Sequence, residues 1–275
     1  MTNLAHFRFP IADFRFQSKI ENRKSTIATV GAAAFVFFAV MTPVAGEQTV
    51  DHTAWDALLR RHVNAQGQVD YAAVQQERAA LETYLASLAA AQPSAWSKDE
   101  QLAFWINAYN ACVFKGVLDH FPLTSVKDVK GFFEKLTYRV AGETLALNAI
   151  EAKGRALGDW RIHFGVVCAS SSCPFLRNEA YVPERVGEQL TDQARRFLAD
   201  PSRGLRVDGG TLWLSKIFKW YAKDFVPAGS LTAETLIPVV APYLPTETAQ
   251  AVRQGKFSVK FLDYDWTLNK QGGDG

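Results

Sequence analysis

The segment "SKDEQLAFWINAYNACVFKGVLDHF", residues 97–121, predicts a helix that is apolar on nearly every face. Ser97 and Glu100 stand three residues apart ahead of the apolar run, which is the spacing of a capping box. Apolar side chains from Leu102 to Val117 then leave no continuous polar face, a pattern typical of a helix in the middle of a domain. We expect this helix from about Lys98 to His120, with the other elements packed around it.

Three polar residues of this helix, Asn107, Tyr109 and Asn110, are candidate binding residues. A buried amide must be hydrogen-bonded, so each asparagine either joins the helix to its neighbours or offers an amide to a substrate. The sequence leaves both interpretations open.

The flanking sequence predicts an α+β domain, with N-terminal helices and a buried central helix packed on an antiparallel sheet. Two helices precede the central one, and beyond Leu136 the hydrophobic period changes to two. A Gly-Gly pair between alternating runs is typical of a hairpin turn. The predicted helices are 51–63, 71–91, 148–156, 181–200, 216–225 and 233–244, and the predicted strands and hairpins are 136–147, 161–167, 205–215 and 257–268.

Residues 1–46 have the pattern of an export signal, a basic region followed by an uncharged run and small residues at Val44 and Gly46. Residues 47–275 are then a single domain, exported to the periplasm or secreted, or held at the inner membrane if the signal is not cleaved. Five of the 30 Lys and Arg residues and two of the 28 Asp and Glu residues lie in the signal, so the remainder is nearly neutral. Nothing in this charge pattern points to a nucleic-acid partner.

A second segment, "RIHFGVVCASSSCPFLR", residues 161–177, has the residue types of a thiol catalyst. A cysteine attacks as its thiolate, which requires a nearby base and a group that orients the base. Cys173 is the candidate nucleophile, His163 the base and Glu151 the orienting carboxylate. We also expect Trp220 to line the site.

Each of these residues has a structural alternative. His163 is equally compatible with a hydrogen-bonded core position, and Glu151 with a capping box that begins at Asn148. In an oxidising compartment, Cys168 and Cys173 can instead close a disulfide, which leaves Cys112 unpaired. No His-x-x-x-His pair or closed four-ligand set is present, so we predict no metal and no other cofactor.

Three motifs in order, "FWINAYN", "HFGVVCASSSCP" and "FKWYAKDF", resemble the family called domain of unknown function 547. The resemblance covers about residues 102–225. It departs at Ala169, where the family pattern has a glycine, and at Ser171, where it has a lysine. The family is uncharacterised, but its histidine and cysteine beside a buried polar helix are similar to those of papain-type or transglutaminase-type hydrolases.

Two functions follow as hypotheses. The first is an exported cysteine-dependent hydrolase or acyltransferase acting on amide or ester bonds of an unknown envelope or small-molecule substrate. The second is a non-catalytic envelope protein for binding or assembly, with a structural disulfide between Cys168 and Cys173.

Overall fold

The central helix, α4 (Lys98–Asp119), is buried along almost its whole length. A computed structural model describes residues 49–227 and 229–272 of the chain, so the expected export signal lies outside the described residues. Ser97 and Glu100 form the predicted capping box. Every residue from Leu102 to Leu118 except Lys115 is buried, which confirms the interpretation of this segment.

Helices α1 (Thr53–His62), α2 (Tyr71–Gln76) and α3 (Arg78–Ala90) precede the central helix. After it come the hairpin of β1 (Thr137–Val140) and β2 (Glu143–Ala146) and then α5 (Leu147–Arg155). Gly154 allows α5 to pack closely, because a Cβ there would lie 3.2 Å from Cβ of Trp105 on α4. The absence of a side chain at Gly154 therefore lets the end of α5 lie against the middle of the central helix.

The C-terminal half forms a second layer around its own apolar cluster, with α6 (Val186–Ala199) packed on a small sheet. Strands β3 (Leu205–Asp208) and β4 (Thr211–Leu214) form the predicted hairpin, and β5 (Ser258–Phe261) adds to β4 in parallel. The remaining helices of this half are α7 (Lys216–Trp220), α8 (Ala222–Phe225), α9 (Ala233–Val240) and α10 (Thr246–Gln254).

The α+β class is confirmed, although several predicted elements differ in detail. The predicted helices 71–91 and 216–225 are each divided into two. The segment 161–167 is not a strand, because Trp160–Phe164 forms a 3₁₀ helix that Asp159 caps through the backbone N–H of Arg161. The last strand ends at Phe261. Leu262 still donates to Leu214 of β4, but farther on the chain pairs with Ser125 and Ser170, outside the sheet. The capping box at Asn148 is absent, because α5 begins at Leu147 and has no side-chain cap.

None of the described helices is both long and apolar enough to cross a membrane. The likeness to papain-type or transglutaminase-type enzymes stays a prediction.

The turn of the first hairpin gives a test of the fold. Ala141 and Gly142 have φ angles of +52° and +75°, as a two-residue type I′ turn requires. Gly142→Ala should lower the free energy of unfolding by about 1 kcal/mol in urea titrations. A Cβ at this position would meet only Gln92 Nε2, at 3.6 Å, so backbone conformation alone sets the expected cost.

The matched control is Gly187→Ala in α6, where a Cβ meets no atom within 4 Å. That substitution should raise the free energy of unfolding by about 0.5 kcal/mol, because alanine favours a helix over glycine. Equal effects of the two substitutions would contradict the assigned turn.

Candidate functional site

The buried imidazole of His163 is the centre of the candidate site, and its side chain is 2% exposed. The 3₁₀ helix that carries it joins the two apolar layers, with Ile162 in one cluster and Phe164 in the other. The Tyr221 ring packs on the imidazole at 4.1 Å between centroids. The Phe225 ring lies 5.3 Å from the imidazole centroid, so the histidine packs against two aromatic side chains.

Asp224 on α8 supplies the carboxylate that contacts this histidine. Nε2 of His163 lies 2.8 Å from Oδ2 of Asp224. Arg155, at the end of α5, binds both oxygens of the same carboxylate, with Nε 2.7 Å from Oδ2 and a terminal nitrogen 3.1 Å from Oδ1. We expected Glu151 to orient the imidazole, and the structure assigns that contact to Asp224.

These charges determine the protonation of the imidazole. The Arg155 guanidinium holds the pKa of Asp224 below its usual range, so the carboxylate is ionised and can only accept. Burial lowers the pKa of His163 to about 4, and Asp224 opposes that shift. Near neutral pH the imidazole is therefore uncharged, with its proton on Nε2 and a free lone pair on Nδ1.

The two cysteines lie side by side in a short loop. Their sulfur atoms are 2.9 Å apart, and both are thiols in the structure. Ala169 between them has a φ of +60°, which explains the glycine of the family pattern, since glycine adopts this conformation without strain. The loop is tied to the C-terminal segment by hydrogen bonds such as Ser171 N–H to the Thr267 carbonyl, at 2.8 Å.

Within the pair, Cys168 is the more acidic thiol. Burial opposes its ionisation, but hydrogen bonds from Cys173, Ser170 and Tyr264 outweigh burial and lower the pKa of Cys168 to about 7. Burial and the neighbouring Cys168 sulfur raise the pKa of Cys173. We expected Cys173 to form the thiolate, and the surroundings of the pair favour Cys168 instead.

Glu151 lines the same cavity but has a different environment from the one expected. Its side chain is 7% exposed, and its Oε1 atom has no hydrogen-bond partner among the described residues. Burial raises the pKa of this carboxyl, while the Tyr221 hydroxyl opposes the shift. Glu151 is thus a buried carboxyl within the site, free of the capping role that its position in the sequence suggested.

Asn107 and Asn110 of the central helix form hydrogen bonds with the backbone of other segments, and neither lines the cavity. Nδ2 of Asn107 donates to the Tyr181 carbonyl at 2.7 Å, and its Oδ1 accepts the N–H of the same residue at 3.0 Å. Asn110 bridges the carbonyl of Gly165 and the N–H of Val167 in the same way, at 3.0 and 2.9 Å. Their side chains are engaged, so the structural alternative fits both better than the substrate-binding one.

A cavity of about 360 Å³ joins these groups. It includes two expected binding residues, Tyr109 and Trp220, together with Glu151, His163 and both cysteines. The described residues contain no group of three or more His, Cys, Asp or Glu side chains arranged to hold a metal ion. The cavity lining comprises Tyr109, Lys127, Phe133, Glu134, Asn148, Glu151, His163, Val166, Cys168, Cys173, Ile217, Trp220, Tyr221, Tyr264 and Trp266.

Sequence reasoning missed Arg155, Asp224 and Tyr264. A signal for Asp224 was present, since it belongs to the "FKWYAKDF" motif, but nothing in the spacing connects it to a histidine 61 residues earlier. Nothing in the sequence marked Tyr264 as a site residue, because it lies within the predicted strand 257–268, where an aromatic side chain is ordinary.

Comparison with protein families supports the resemblance. A family model described as "Protein of unknown function, DUF547" matches residues 93–198. The matched region contains the central helix, His163 and both cysteines, and it ends before Asp224. Neither a comparison with curated proteins nor one with solved structures finds a match.

The low pKa of His163 predicts how stability depends on pH. In the unfolded chain this imidazole takes up a proton as the pH falls through about 6.5, whereas the folded chain resists protonation until about pH 4. Only the unfolded state gains the proton in that window, so the free energy of unfolding decreases as the pH falls from about 6.5 to about 4. His163→Asn should reduce the difference between pH 7 and pH 5 by about 2 kcal/mol in urea titrations.

An equal pH dependence in wild type and His163→Asn would contradict the assigned protonation state.

Proposed function

We propose that this chain is an exported cysteine-dependent hydrolase or acyltransferase that acts on amide or ester bonds. The observation that carries the proposal is the His163 imidazole, hydrogen-bonded to Asp224 of the Arg155–Asp224 pair, in the same cavity as the two thiols. An acceptor nitrogen and an acidic thiol in one partly water-excluded cavity are what nucleophilic thiol catalysis needs.

The proposed nucleophile is Cys168. Its side chain is less buried than that of Cys173, and its sulfur lies 3.3 Å from the Tyr264 hydroxyl and 3.0 Å from the Ser170 hydroxyl. Both hydroxyls can donate to a thiolate, which stabilises the charged form. In the structure the Cys168 thiol donates to the Cys173 sulfur. Cys173 keeps its proton because its pKa is raised, so it can donate to the Cys168 sulfur once that sulfur is ionised.

In the first step Nδ1 of His163 removes the thiol proton, and the Cys168 sulfur attacks the substrate carbonyl carbon. The C–N or C–O bond of the substrate then breaks, and the imidazolium returns the proton to the departing amine or alcohol. An acyl group remains on sulfur as a thioester. Attack by water releases a carboxylic acid, whereas attack by an amine or alcohol transfers the acyl group, and either step regenerates the thiol.

Asp224 stabilises the imidazolium that forms in the first step, because its carboxylate is ionised and hydrogen-bonded to Nε2. The tyrosine hydroxyls of the cavity remain protonated, since burial raises the pKa of Tyr109 and of Tyr264. They are therefore donors to the oxygen on which negative charge develops.

The main alternative is a binding or assembly protein with a disulfide between Cys168 and Cys173. The 2.9 Å separation of the two sulfur atoms favours it, because little movement would bring them to bonding distance. In an oxidising compartment the two functions compete for the same atoms.

Thiol labelling of the purified full chain separates the two functions. Iodoacetamide should label Cys168 with an apparent pKa near 7, below the ordinary thiol value of about 8.5. His163→Ala should leave this apparent pKa near 7, because the side chains of Cys173, Ser170 and Tyr264 that lower it are retained. Labelled residues are identified by mass spectrometry without reductant.

The matched control is Cys112, a buried thiol on the central helix whose pKa is raised by burial, and it should stay unlabelled in the folded protein. Recovery of Cys168 and Cys173 as one disulfide-linked peptide, with no labelling at either, would overturn the hydrolase and support the binding protein.

Export is tested separately, by the intact mass of the chain recovered from the periplasm. Cleavage after Gly46 should give a chain that begins at Glu47. Recovery of the full-length chain from the cytoplasm alone would contradict export while leaving the thiol chemistry to its own test.

A further inference from the structure

The outer end of the cavity is an aromatic wall, defined here as Trp220, Tyr264 and Trp266. The Trp220 and Trp266 rings lie 5.9 Å apart between centroids with 29° between their planes. The Tyr264 ring lies 4.8 Å from the first and 4.7 Å from the second. Trp220 is 47% exposed, although tryptophan is highly buried on average. The wall therefore presents an accessible apolar surface to a ligand.

Polar side chains line the same cavity as this wall. Lys127, Glu134 and Asn148 are exposed and line the same cavity. The Lys127 ammonium lies 5.0 Å from the centre of the Trp266 ring. A ligand that fills this end of the cavity therefore meets an apolar surface on one side and hydrogen-bonding groups around its edge.

Two kinds of ligand fit this combination poorly. A cationic ligand would compete with Lys127, whose ammonium already lies over the Trp266 ring. A purely apolar chain would remove water from Lys127, Glu134 and Asn148 without replacing their hydrogen bonds, which is unfavourable. A pyranose ring has the required shape, because its C–H groups form an apolar face and its hydroxyls point outward from the ring edge.

We propose that the aromatic wall binds a pyranose ring, and that the substrate is a glycan bearing an amide- or ester-linked group. The second half of this statement rests on the proposed function. The wall extends to the nucleophile, since the Tyr264 hydroxyl lies 3.3 Å from the Cys168 sulfur. A sugar stacked on the wall thus places its acyl-linked substituent toward the thiols.

The binding half is tested by calorimetric titration of the full chain with N,N′-diacetylchitobiose, a neutral disaccharide. Trp220→Ala should weaken binding by about tenfold, the effect of losing one stacking contact, and Trp220→Phe should restore part of the affinity. Trp213→Ala is the matched control, because Trp213 lies on β4 outside the cavity, and it should leave the affinity unchanged.

The tripeptide Ala-Phe-Ala serves as the competing probe. Binding of the disaccharide that depends on Trp220 supports the proposal. Binding of the tripeptide alone, or disaccharide binding that Trp220→Ala and Trp213→Ala weaken equally, would overturn it.

The same titration on Cys168→Ser keeps this proposal separate from the proposed function. Saccharide binding needs no thiol, so this variant should bind like wild type. Loss of saccharide binding in a protein whose Cys168 remains reactive would overturn the aromatic-wall proposal only. Saccharide binding by a protein whose thiols are unreactive would support the proposal that the aromatic wall binds a sugar and would contradict the proposed hydrolase function.

Discussion

The ion pair between Arg155 and Asp224 determines the tautomer of the His163 imidazole and contributes to its protonation state, on which the rest of the site depends. A carboxylate next to a histidine ordinarily raises the pKa of that histidine, yet the pKa of His163 is lowered, because burial outweighs the attraction. Arg155 neutralises part of the Asp224 charge and repels an imidazolium. The result is an uncharged ring with a fixed tautomer, the state in which histidine accepts a proton.

Several elements are needed to hold this arrangement. Arg155 comes from α5, His163 from the 3₁₀ helix and Asp224 from α8, and no two of them are neighbours in sequence. The central helix supports the segment after His163, since Asn110 fixes the backbone at Gly165 and Val167 on the way to the cysteine loop. The buried amides act at a distance from the substrate, by holding the segment between the histidine and the thiols.

Local pattern was sufficient for much of the fold. The capping box at Ser97, the continuous apolar surface of α4 and the Gly209-Gly210 turn each rest on interactions within a few residues, so they could be predicted. The prediction of a strand at 161–167 was wrong. The alternating side chains there belong to two apolar clusters that a 3₁₀ helix joins. The site followed the same division. The predicted residues Tyr109, Glu151, His163, Cys173 and Trp220 line one cavity, while Arg155 and Asp224 were not identified. The contact between His163 and Asp224 spans 61 residues, and no local rule predicts it.

Nitrogen-15 NMR of the His163 imidazole tests the central claim most directly, with His163→Asn used to assign the signal among the five histidines. The account predicts an uncharged ring at pH 7, with the proton on Nε2, that becomes charged only near pH 4. A ring already charged at pH 6, or a proton on Nδ1 at pH 7, would contradict it, because Nδ1 could then not accept the thiol proton.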